Sequence, residues 1–104
     1  MNDLLMRELR EHFRESARPR IAEMETLIAA LQRDARDVRA LEKLARHFHA
    51  LAGLGGTYGF PRVTQLADEG EGLTMPLARS AATPAADDVR HWSELVDAIA
   101  REIA

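Results

Sequence analysis

Apolar residues return every third or fourth position along nearly the whole chain, and no stretch alternates convincingly enough to be a strand. Leu5, Leu9, Phe13 and Ala17 form one run, and Ile21, Met24, Leu27, Ile28 and Leu31 keep nearly the same face. Leu41, Leu44, Phe48, Leu51, Gly55 and Tyr58 form the next. Val63, Leu66, Ala67, Leu73 and Leu77 follow, and then Val89, Trp92, Leu95, Val96, Ile99 and Ile103. Segments of this period are helices with one apolar face each, and helices joined by short connectors bury those faces against one another. The pattern predicts an all-α fold, an antiparallel helical bundle. With 104 residues and no break in composition, residues 1–104 read as one domain with a modest core.

Punctuation residues divide the chain. Asn2 or Asp3 can cap a first helix, since either side chain can accept a bond from a first-turn amide. Pro19 lacks an amide donor and disfavours helical geometry at Arg18, so the first run reads as one helix kinked near residues 17–19 or as two. Residues 33–37 are a polar connector, with Asp37 suited to cap the central helix. Pro61 fits a first helical position. Gly70, Gly72 and Pro76 weaken the following run, and a bend or fraying is expected beyond residue 72. Residues 79–83 read as a small-residue connector. Thr83-Pro84 is a start signal, with Asp87 and Asp88 favourable at the amino end of the last helix.

Composition removes several classes of function. The net charge is −3, which gives no footprint for nucleic acid. Cysteine is absent, which excludes disulfides, thiolate zinc sites and cysteine nucleophiles. No apolar run approaches the roughly 18 residues of a membrane span, and MNDLLMREL is too charged for a secretory signal. A cytoplasmic location, with no nucleic-acid or membrane partner, is the expectation. HExxH, GxGxxG and P-loop motifs are missing, and no metal-ligand set is predicted.

The stretch Leu41–Phe60 carries the functional signal. It begins as a strong helix former and ends with Gly53, Gly55, Gly56 and Gly59, just after His49. His49 falls well away from the middle of the apolar face. Its helical neighbours are Glu42, Ala45, Arg46, Ala52, Gly53 and Gly56, so everything on its C-terminal side is Ala or Gly. The ring is expected to stand clear over a smooth docking surface made of those six residues. Each helical glycine costs about 0.8–1 kcal/mol relative to alanine. Two readings remain: the helix ends near Leu54 and the glycines are a loop, or it continues to Tyr58 with Gly59 as a left-handed cap.

His49-Ala50-Leu51-Ala52-Gly53, followed by Gly59, Phe60 and Pro61, resembles the phospho-acceptor motif of histidine phosphotransfer (HPt) domains. That pattern has a Leu two after the His, usually a Lys three after, a Gly four after and a second Gly ten after. Ala52 stands where the Lys would be. The motif covers about a fifth of the chain, and the helical pattern extends the likeness over most of the rest. The resemblance implies a four-helix bundle presenting His49 at mid-height. It implies exchange of a phosphoryl group with the aspartate of a response-regulator receiver domain, and dealings with a histidine kinase. Mg²⁺ would sit on the receiver, and the chain itself would need no cofactor.

Neutral imidazole attacks phosphorus readily near neutral pH. If an antiparallel turn centres near residue 60, the residue opposite His49 is near Glu71. Glu69 or Glu71 is then a possible acceptor for Nδ1–H, which would leave Nε2 as the nucleophile. Arg46 is the nearby cation that can take the place of the missing lysine. An alternative function is a docking module of the same fold that binds receivers or kinases without carrying phosphate. His47, about 200° from His49 on a helix, reads as a flank residue at the edge of the core, and His12 and His91 as surface positions. The sequence does not specify the oligomeric state.

Overall fold

A computed structural model describes residues 3–104, and within them the chain folds as four α-helices with no strand. They are α1 (Asp3–Arg33), α2 (Val38–Gly55), α3 (Pro61–Ser80) and α4 (Ala86–Ile103). In space α1 neighbours α2 and α4, while α3 neighbours α2 and α4, so the helices close a ring around one core. That core holds Met24, Leu31, Leu44, Phe48, Leu51, Val63, Trp92 and Ile99 among others, all from the periodic apolar positions. The fold is 47 Å long and about 20 Å across. At about 1.5 Å per residue α1 alone spans that length, while α2 covers little more than half of it.

The first helix does not split. α1 continues through Pro19, which is exposed, while Phe13, Ala17, Ile21 and Met24 on the opposite side are buried. Packing on both sides of the proline holds one helical path, and the carbonyl that loses its amide partner lies on the solvated side. Burial, however, begins only at Phe13: Leu5 is exposed and Leu9 half-buried. Phe13 stacks on Tyr58 and against Phe60 in the turn between α2 and α3, so the first turns of α1 extend past that turn. Of the two capping residues expected there, Asn2 lies outside the described residues and Asp3 is within the first turn.

The Asp37 side chain accepts from the Ala40 amide at 3.0 Å and caps α2. The glycine-rich end of α2 combines the two expectations. Regular helix runs to Gly55, yet Gly56 keeps right-handed helical angles and the Tyr58 amide still donates to the Leu54 carbonyl. Gly59 then turns left-handed at φ +84°, the Phe60 amide donates back to Gly55 and the Gly59 amide to Gly56. That is a Schellman closure, which strains a residue with a side chain and suits glycine.

The bend expected after residue 72 is replaced by continuous helix. α3 runs through Gly72 and Pro76 to Ser80 and ends on a left-handed Ala81. Leu73 is 42% exposed, contrary to its place in the apolar run. Its place is taken by Gly70 and Thr74, both buried, with the Thr74 hydroxyl donating to the Gly70 carbonyl at 2.8 Å. A Cβ on Gly70 would lie 2.4 Å from the Phe48 ring, so α3 is pressed against α2 at a depth that only glycine permits. α4 starts at Ala86, where the Asp88 carboxylate accepts from the Ala85 amide, and buries all six predicted core residues.

Candidate functional site

Phe48 and Leu51 are buried on the inner face of α2, and their anchoring fixes the rotation of the helix about its axis. His49 then emerges on the outer face with 71% of its side chain exposed. Opposite it stands Glu71 of α3, the residue after Gly70. Its carboxylate oxygen lies 2.5 Å from His49 Nδ1. The two helices approach closely here: Gly55 packs against Thr64 and Phe60, Phe48 against Gly70, and His49 meets Glu71 beside the Phe48–Gly70 contact. A carboxylate accepts, so Nδ1 carries the hydrogen and Nε2 presents its lone pair to solvent.

The six residues expected to make a smooth docking surface divide between two roles. Ala45 is fully buried and does not belong to an accessible surface, while Ala52 is half-buried against the core. Their small side chains lie on the α3 side of α2, where they let the neighbouring helix come close. Gly53 and Gly56 remain exposed. Gly53 has nothing within 4 Å of where a Cβ would be, so no contact within the fold requires a glycine there. Arg46 is exposed and Glu42 half-exposed, with a loose ion pair between them at 3.9 Å.

Of the two candidate carboxylates, Glu71 reaches His49 and Glu69 does not. Glu69 points around α3 to α4 and bonds His91 Nε2 at 2.5 Å, because two residues along a helix rotate the side chain about 200°. His47 is 15% exposed and engaged at both nitrogens on α1: Arg20 donates to Nδ1 at 2.8 Å, and Nε2 faces Glu23 at 2.9 Å. An arginine can only donate, so the His47 hydrogen sits on Nε2 and the ring has no free lone pair. His91 also has the Glu94 carboxylate 3.9 Å from Nδ1, and His12 is exposed on α1. Among the described residues, His49 and His91 each have one nitrogen bonded to a carboxylate, but His49 is the more exposed of the two, 71% against 46%, and its second nitrogen has no carboxylate beside it.

Some contributors gave no signal in the sequence. Thr64 donates to the Ala52 carbonyl at 3.1 Å and accepts from the Gly56 amide at 2.7 Å, tying down the glycine-rich end of α2. Arg20 and Glu23 lie 27 and 24 positions from His47, and no periodicity links them. Among the described residues no cluster of three His, Cys, Asp or Glu side chains can hold a metal ion. No helix of the described residues is long and apolar enough to cross a membrane.

The Hpt domain family model matches residues 8–102, nearly the entire chain. The chain belongs to the Hpt domain family. No curated protein and no solved structure matches it. Membership of this family implies histidine phosphotransfer in a phosphorelay, and Hpt domains generally exchange phosphate with receiver domains and kinases. In this Hpt domain the side chain at the motif's usual lysine position is the half-buried Ala52.

Proposed function

We propose that this chain is a phosphoryl carrier of the HPt type, an antiparallel four-helix bundle whose His49 accepts and donates a phosphoryl group in exchange with a receiver aspartate. The observation that carries the reading is the His49–Glu71 pair, with Nδ1 held at 2.5 Å and Nε2 open. In the forward step the Nε2 lone pair attacks phosphorus and an N–P bond forms. The bond from phosphorus to the aspartate oxygen breaks, and its electron pair stays on the carboxylate. The ring gains positive charge, and the Nδ1 hydrogen stays on the ring, bonded to the Glu71 carboxylate, which stabilises that charge. Phosphoryl transfer depends mostly on positioning and charge neutralisation. On this reading the bundle contributes position, and the receiver, with Mg²⁺ in its acidic pocket, contributes the charge at phosphorus. A histidine kinase is a further partner on this reading.

Gly53 supports a close visitor, because it weakens α2 without serving any contact inside the fold. Ala52 favours a second reading, a module that docks receivers without carrying phosphate, since no cation stands at that position. Incubation with a radiolabelled phospho-receiver and Mg²⁺ separates the two. The carrier acquires acid-labile label that is absent from His49→Gln. A wild-type chain that binds the receiver and stays unlabelled, or label that persists in His49→Gln, overturns the proposal.

A further inference from the structure

From Arg46 and Met75, one turn from the His49–Glu71 pair, to Glu42 and Arg79, about two turns away, the seam between α2 and α3 opens into a cleft of about 250 Å³ that Ala78 also lines. Two guanidinium groups border it, one from each helix. Side chains on an α-helix lean towards its N-terminus, so the His49 ring lies over the turn of α2 that holds Arg46. Arg46 starts about 4.5 Å back along the axis, and Met75 is one turn beyond Glu71 on α3. The open Nε2 is therefore carried towards the cleft rather than towards Gly53.

Charge gives this placement a consequence. A phosphoryl group on Nε2 brings a charge near −2 to a position that already has the Glu71 carboxylate at hand. Asp68, one turn the other way on α3, adds further negative charge. Arg46 is 74% exposed and held only by the 3.9 Å contact to Glu42, a pair too long and too wet to restrain it. Arg79 has no ion-pair partner among the described residues. Both side chains are long enough to turn, and an arginine fork matches phosphate oxygens.

We infer that Arg46 and Arg79 close on the phosphoryl group once it is on His49, making the α2–α3 cleft its counter-ion site, with Glu42 as the group that Arg46 leaves. This rests on the phospho-acceptor reading of His49. It assigns the two arginines as positioning residues for the phosphorylated state; the bond-making step itself needs neither of them. Phosphohistidine is then favoured over the receiver's acyl phosphate by the contacts the two arginines gain.

The test uses the full chain and its phospho-receiver, both dilute, so that the end-point distribution of label is independent of docking affinity. Arg46→Ala and Arg79→Ala each move the equilibrium towards the receiver by about two- to fivefold, the range of exposed ion pairs. Arg46→Lys restores most of the shift, and Glu42→Gln moves it the opposite way. In parallel, the chain is loaded with a small phosphoramidate donor and the ³¹P resonance is titrated. The midpoint for protonating the phosphoryl group lies higher in the Arg46→Ala, Arg79→Ala double variant than in wild type, a change that a merely structural role would not produce. A labelled wild type, with the distribution unchanged in both single alanine variants and the midpoint unchanged in the double variant, overturns this inference and leaves the carrier reading standing. A wild type that takes no label at His49 from either donor removes both.

Discussion

Two helical glycines near the site, Gly53 and Gly70, should respond to alanine with opposite signs. Gly53 is exposed, and nothing lies within 4 Å of the position its Cβ would take, so Gly53→Ala gains the helix-propensity difference of about 0.8–1 kcal/mol. At Gly70 the same gain is available, but the new methyl meets the Cδ1 and Cε1 atoms of Phe48 at 2.4 Å. That is about 1 Å inside ordinary van der Waals contact. Phe48 is fully buried, so its ring has nowhere to go without moving α3. Overpacking of this kind costs about 1–3 kcal/mol, and with so deep an overlap we take the upper half of that range. After the propensity gain, Gly70→Ala is less stable than wild type by about 1–2 kcal/mol. In a domain of this size each kcal/mol moves Tm by about 4–8 °C, so the two variants separate by well over 5 °C. Urea denaturation followed by helical circular dichroism measures both, with an unchanged slope confirming that the same surface unfolds. A Gly70→Ala protein as stable as Gly53→Ala would refute the claim that close approach of α2 and α3 is what Gly70 provides. The functional outcome is also opposed to stability: Gly53→Ala, the sturdier protein, accepts phosphate from the receiver more slowly, because its methyl stands on exposed helix surface one turn from His49, where a receiver would dock.

Two further outcomes are expected. Glu71→Gln keeps an acceptor beside His49 Nδ1 but loses the charge, and transfer at saturating receiver slows by about five- to tenfold, the difference between a charged and a neutral hydrogen bond; a Glu71→Ala variant as fast as wild type would end the orienting role. Ala81 ends α3 at φ 52°, a region costly for any residue with a Cβ, so Ala81→Gly raises the urea midpoint by an amount worth about 1 kcal/mol, and a lower midpoint would show that the left-handed turn is not strained.

Much of the fold was legible because local rules and packing agree. The last helix shows this best: Val89 through Ile103 repeat at helical spacing, and all six are buried. Asp37 and Pro61 did what capping and first-turn residues do anywhere. The rules failed where a second helix decided the outcome. Pro19, Gly72 and Pro76 are poor helix residues in isolation, yet α1 and α3 pass through them because buried neighbours on either side hold the path. Leu5 and Leu73 fit their apolar runs and are exposed, since Leu5 lies two turns before Phe13, the first buried residue of α1, and Gly70 with Thr74 takes the buried place beside Leu73.

At the site the division is the same. That a histidine would stand outside the apolar face, followed by small residues, is a matter of angular spacing along one helix, and spacing is written in the chain. Which carboxylate would meet it, and whether Ala45 and Ala52 would be surface or seam, depended on how closely α3 could approach. A methyl-sized difference at Gly70, set against a phenylalanine ring 22 positions earlier in the chain, governs that distance. One-dimensional order specifies faces, because rotation per residue is fixed by the backbone; it does not specify separations between helices, because those are settled by side chains from distant positions competing for the same space.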